Sequence, residues 1–235
     1  MRTIRNVLQL AAGAAAFLPA LAGAQELMYT GELSGTGAGL GAVPTVLTLN
    51  NTGNLSTGCI SPTGTTNCGF PDNTVQESSM VQLVSALGGN LATLGTDLRI
   101  VANFGEPAGD AATIDQLVLT LYNGTAVAFT GDLAMAQSFT STSQGVGNIG
   151  FSFGLTSAGA SAFQTALNMI GGTATIGLGA SLSDVQGGLD TFAVTRLNGM
   201  PGGGGSVVPE PGTWALLGTG LLGLGGIAAR RKRAA

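Results

Sequence analysis

The sequence predicts an all-β fold, a β-sandwich of which the jelly roll is one form, with one short helix and a membrane-directed segment at each end. Three observations lead there. Short segments of alternating apolar and polar residues recur between residues 25 and 198, and Gly, Asn, Ser and Pro punctuate them. Helical spacing breaks the pattern at one place. Six of the eight basic residues lie at the two extremities, as targeting signals require.

Residues 1–24 read as an export signal. Arg2 and Arg5 form a positive start, Val7 to Leu21 a mostly apolar core, and Ala22-Gly23-Ala24 the small-residue site that a signal peptidase cuts. A buried N-terminal helix fits less well, because Pro19 interrupts it and polar Gln25 and Glu26 follow at once. The mature chain is expected to begin at Gln25, cleavage falling after Ala22 and Ala24 have been recognised.

The domain at 25–198 is rich in Gly, Thr, Ser, Ala, Leu and Val, which suits strands more than helices. Strands are predicted at Leu27–Leu33, Thr45–Leu49, Leu98–Phe104, Ile114–Tyr122, Ala126–Leu133, Val146–Leu155, Thr173–Leu178 and Asp190–Leu197. Asn123-Gly124 between two of them predicts a hairpin with a type I′ turn. The helix is expected at Ser161 to Ile170. There Phe163, Ala166, Leu167 and Ile170 share one face and Gly171-Gly172 ends the pattern.

Cys59 and Cys68 lie in a Gly, Ser, Thr and Pro-rich stretch of an exported chain, so a disulfide between them is the natural reading. Closing that ten-residue loop stabilises the fold by about 2.7 kcal/mol on a chain-entropy basis. Two thiolates would need two further His or Cys ligands to hold zinc, and the sequence has neither.

Charge excludes some partners. Residues 25–208 hold eleven acidic residues against Arg99 and Arg196, a net charge of −9, so phosphate backbones and anionic headgroups are repelled and nucleic acid is not an expected partner. The inventory also argues against an enzyme. There is no His, and the single Lys is Lys232, so Ser-His-Asp, Cys-His and Ser-Lys catalysis each lack a base. Paired carboxylates such as Asp110 with Asp115, or Asp184 with Asp190, are what glycoside hydrolysis would require. Acidic residues beside Gly, Ala and Asn are more often turn formers or solvated surface. Oxygen ligands would suit calcium, but no D-x-D-x-D-G loop occurs, and the stretch from Gly105-Glu106-Pro107 to Asp110 reads as a turn. No catalytic residue, metal ligand or cofactor is therefore assigned. The single Trp lies in the C-terminal tail, and no aromatic platform for stacking sugars is visible.

The tail carries the most specific signal. A linker at 199–207 contains Gly202-Gly203-Gly204-Gly205-Ser206, a flexible composition. Val208-Pro209-Glu210-Pro211-Gly212-Thr213-Trp214 follows, then an uncharged run to Ala229, then Arg230-Arg231-Lys232-Arg233. Residues 213–229 are 17 in number, at the short end of what spans a hydrocarbon core of about 30 Å. Trp214 suits one interface and the basic cluster the cytoplasmic side, which places the domain outside. Five glycines within 213–229 disfavour a buried globular helix, each costing about 1 kcal/mol relative to Ala, but are common in membrane helices.

Pro209-Glu210-Pro211, a Gly-rich hydrophobic helix and a terminal basic cluster together resemble the PEP-CTERM sorting signal. Residues 208–235 carry the resemblance. It implies recognition by an exosortase in the inner membrane of a Gram-negative bacterium, transient anchoring there, removal of the tail, and a role beside exopolysaccharide in biofilm or floc. Val208, Pro209, Glu210, Pro211, Trp214 and Arg230 to Arg233 would then be recognition residues of a substrate. Gly177-Leu178-Gly179-Ala180-Ser181-Leu182 with Gly187-Gly188-Leu189-Asp190-Thr191-Phe192 resembles the end of the extracellular domain in many such proteins, and implies a β-sandwich without catalytic residues. Two functions are open on these grounds: a structural or interaction component of the polysaccharide matrix, and a carbohydrate-binding or adhesive module.

Overall fold

In a computed structural model, residues 25–34, 45–51, 53–65, 68–71, 74–107, 110–140 and 149–197 are described. Just over half of the described residues are strand, as an all-β fold requires. The strands are β1 (Gln25–Ser34), β2 (Thr45–Asn50), β3 (Leu55–Cys59), β4 (Gln82–Leu83), β5 (Leu98–Asn103) and β6 (Ala111–Asn123). They continue as β7 (Ala126–Leu133), β8 (Gln137–Thr140), β9 (Ile149–Leu155), β10 (Thr175–Ser183) and β11 (Leu189–Arg196). A one-turn helix α1 (Leu94–Asp97) and a longer helix α2 (Ser157–Ile170) complete the regular structure.

Two antiparallel halves build the sheet, β2-β11-β5-β9-β1 and β7-β6-β10-β3. The sequence predicts two packed sheets; here hydrogen bonding runs on from one half to the other. A short parallel contact, Gln25 with Asp132 and Leu27 with Leu133, joins β1 to β7. The opposite side is nearly closed by the segment 74–80, which runs beside β2. Asn50 N–H donates to Thr74 O at 2.8 Å, Gln76 N–H to Thr48 O at 2.9 Å and Met80 N–H to Val46 O at 3.0 Å. Thr74 also reaches β3, its hydroxyl donating to Thr57 O at 2.9 Å and accepting from Thr57 N–H at 3.0 Å. A sheet that closes in this way leaves few unpaired edges.

All strands but β3 and β4 turn apolar residues to one shared core. Ile176, Leu178, Ala180 and Leu182 are the inward row of β10, each at 1% exposure or less. Phe104, Phe139, Phe151, Phe153 and Phe192 cluster at one end with Tyr29, ring centroids 4.4–6.4 Å apart. At the other end α2 buries Phe163 edge-on against Phe129 at 5.5 Å.

The helix begins one turn earlier than the spacing of its apolar residues indicates. Thr156 is its N-cap, the side-chain oxygen accepting from Gly159 N–H at 3.2 Å, and the expected stop at Gly171 is in place. The hairpin between β6 and β7 forms where expected but turns one residue later. Asn123 pairs with Ala126, so Gly124 and Thr125 are the central residues, and a positive φ occurs at Gly124 alone. Gly at the first central position is the type II′ pattern, not type I′. The skipped partner of the bulge between Leu121 and Tyr122 takes up the shift.

Candidate functional site

The strongest local anomaly among the described residues is a pair of buried carboxylates, and strand alternation produces it. On β11 Phe192 points inward, so Asp190 two residues earlier does too. Beyond the end of β5, Phe104 continues the inward row of Ile100 and Ala102, and Glu106 follows it. Phe104 and Phe192 meet edge-on at 6.4 Å, and the two carboxylates lie next along their rows. Asp190 is 0% exposed and Glu106 1%.

Main-chain donors fix one oxygen of each. Gly105 N–H donates to Asp190 Oδ1 at 3.2 Å, and Gln186 N–H donates to Glu106 Oε2 at 2.8 Å. Asp190 Oδ2 and Glu106 Oε1 are buried with no hydrogen-bond partner. Ser56, on the inward face of β3 and 0% exposed, has its hydroxyl beside Asp190 without completing a hydrogen bond to it. Burial pushes the Asp190 carboxyl up to about 7; the charge of Glu106 adds to the rise, and Gly105 N–H and the Ser56 hydroxyl oppose it. Glu106 is also raised, mainly by burial and further by the charge of Asp110, against the N–H groups of Gln186 and Gly187.

Sequence reasoning pairs Asp184 with Asp190, and the fold separates them. Asp184 is exposed, takes a left-handed backbone with φ of 61°, and accepts from the Thr113 hydroxyl at 3.0 Å. Asp115 is exposed as well and accepts from Ser183 at 3.0 Å. The partner of Asp190 is Glu106. The turn expected around Glu106 exists, with Asp110 N–H donating to Pro107 O at 3.1 Å, but the Glu106 side chain is folded beneath it. Two readable signals mark the site: Glu106 and Asp190 each stand two residues from a Phe on an inward row.

Cys59 and Cys68 are disulfide-bonded with their Cα atoms 6.0 Å apart. Gln25, the expected first residue of the mature chain, is the first residue of β1. The signal residues Ala22 and Ala24, the linker, and the tail residues Val208, Pro209, Glu210, Pro211, Trp214 and Arg230 to Arg233 lie outside the described residues, as does the expected membrane helix at 213–229. Among the described residues no helix is long and apolar enough to cross a membrane.

A β-domain followed by a terminal sorting signal defines an exported cargo protein. The PEP-CTERM protein-sorting motif matches residues 207–233, so the chain carries that sorting motif at its C-terminal end. That motif makes it a protein exported and sorted to the cell surface, with an exosortase as its processing partner. No curated protein and no solved structure matches the chain.

Proposed function

We propose that the chain is a non-catalytic structural or interaction component of the extracellular matrix, associated with exopolysaccharide or biofilm. In this reading a signal peptidase removes residues 1–24, the tail anchors the precursor in the inner membrane, and an exosortase cuts near Pro209-Glu210-Pro211 to release or attach the domain outside the cell. The sorting motif at 207–233 is the observation that carries it. The absence of His and Lys from 25–208 supports a role by structure and surface rather than by acid–base chemistry.

Replacing Pro209, Glu210 and Pro211 together with Ala tests the sorting step. Insertion is expected to persist while an unprocessed, membrane-bound precursor accumulates, seen by fractionation and immunoblotting. Wild-type processing of that variant, or tryptic peptides from beyond Trp214 in the mature protein, would leave a permanent anchor as the better account.

The carbohydrate-binding alternative would place its ligand in a groove of about 420 Å³ between α2 and the turn before β5, where Thr93, Gln164 and Asn168 line the wall and already form hydrogen bonds of their own: Thr93 to Asp97, and Gln164 to Asn168 and Leu91 O. A glycan array on the exported protein separates the two readings: saturable binding to defined glycans supports the module, and none supports the matrix component.

A further inference from the structure

The carboxylates of Asp190 and Glu106 have no counter-charge from the described protein. Arg99 Nη1 donates to Thr96 O at 2.9 Å and to Leu98 O at 2.6 Å. Arg196 is paired with Asp97 at 3.0 Å and bonds the carbonyls of Gly88 and Asn90. The sequence offers no His. Two adjacent carboxylates at 1% exposure or less must be neutralised from outside, by a proton or by a cation.

Geometry removes one form of the first choice, a proton shared between the two carboxyls. A carboxyl pair sharing a proton brings its two free oxygens into hydrogen-bond contact, whereas Asp190 Oδ2 and Glu106 Oε1 make none. Each carboxylate is instead oriented by a main-chain N–H on one oxygen and left bare on the other, as carboxylates that ligate a metal are held. The unpartnered Ser56 Oγ supplies a third, neutral oxygen from across the nearly closed side of the sheet.

We propose that Asp190 Oδ2, Glu106 Oε1 and Ser56 Oγ form a binding site for calcium. Two carboxylates balance the charge of a divalent ion. An all-oxygen donor set suits a hard cation and not zinc, which prefers nitrogen and sulfur. Main-chain carbonyls and water complete the coordination, and calcium tolerates the mixed, irregular shell that results better than magnesium does. A site with two charged ligands fits the affinity of extracellular modules, on the order of 10⁻⁴–10⁻³ M. The ion would tie β3 to β11 and to the segment after β5, locking the seam.

The test is thermal unfolding of the full-length exported protein at about pH 7.5 in EDTA and in about 10 mM calcium, with isothermal titration of calcium alongside. Calcium at tenfold excess over its Kd is expected to raise Tm by about 3–6 °C, with one site per chain. The Glu106→Gln/Asp190→Asn double variant should lose the shift. Should that variant not fold, Ser56→Ala, a smaller change, should weaken calcium binding several-fold. An unmoved wild-type Tm, no saturable site by titration, or a double variant or Ser56→Ala protein responding like wild type each overturns the assignment.

Discussion

Asp190 shows how one side chain couples the fold to its solvent. An aspartate in the unfolded chain titrates near about 3.9, whereas burial, with the charge of Glu106 added, carries the folded value to about 7. Between those values the folded state holds a proton that the unfolded chain has lost. The stability this contributes is therefore fully present below about pH 4 and is lost as pH rises toward 7. Glu106 is raised as well and acts with the same sign. Asp97 acts oppositely: the Thr93 hydroxyl, then Arg196, lower its value, so its contribution is lost as pH falls below about 4. A window from about pH 5 to 7.5 isolates the buried acid. In EDTA, urea unfolding across that window should show stability falling by a few kcal/mol, since a proton held only by the folded state changes stability by about 1.4 kcal/mol for each pH unit crossed. Asp190→Asn should flatten the profile. Stability rising with pH in wild type would mean that Asp190 is ionised and compensated in the metal-free protein.

Between residues, the elements depend on which faces of a strand are covered. β10 turns its apolar row inward, and its outward row includes Gly177 and Gly179. These are glycines because the chain around the disulfide lies directly on them. A Cβ at Gly177 would strike the carbonyl oxygen of Ile60, and one at Gly179 would strike the ring of Phe70. Ile60 is held there by its own N–H, which donates to Leu178 O at 2.8 Å. Gly177→Ala is expected to cost about 2–3 kcal/mol, because main chain rather than a flexible side chain must yield. The midpoint of urea unfolding should fall with the slope unchanged; a midpoint equal to wild type would show that the loop is not packed on the sheet. The same packing explains what the sequence hides. β1, β2, β5, β6, β7, β9 and β11 are legible because alternation with large apolar residues marks them. β10 is read as ending at Leu178 because Gly179-Ala180-Ser181 looks like a turn, although Ala180 and Leu182 continue the core row. β3, with the sequence LSTGC, is missed because its inward positions, Ser56 and Gly58, are small: one faces Asp190 and the other lies under Val75 and Leu49. The Glu106–Asp190 pair is illegible for a related reason. The residues lie 84 positions apart, and only the antiparallel pairing of β5 with β11 brings their ends together.

At the scale of the molecule, the sorting motif and the domain are separable in the sequence, and the core shows why they should be separable in energy. The described core runs from Leu27 on β1 to Val194 on β11. The last strand is central: β11 pairs with β2 on one side and β5 on the other, so the sheet is complete by Arg196. The sorting motif begins at residue 207, beyond every described element. Cutting the chain near Pro209 leaves every described core residue in place, as a substrate that must remain folded after its tail is removed requires. A chain ending at residue 208, exported and oxidised, is therefore expected to unfold within about 1–2 °C of the full-length protein, because a stability change of 1 kcal/mol shifts Tm by about 2–4 °C at this size. It should keep the Cys59–Cys68 bond by intact mass with and without reductant. Ending the chain at residue 188 deletes β11 and its buried Phe192 and Val194, and should abolish cooperative unfolding. A large drop in Tm for the chain ending at 208 would show that the tail contributes to the folded domain, and that its removal is a switch of structure as well as of location.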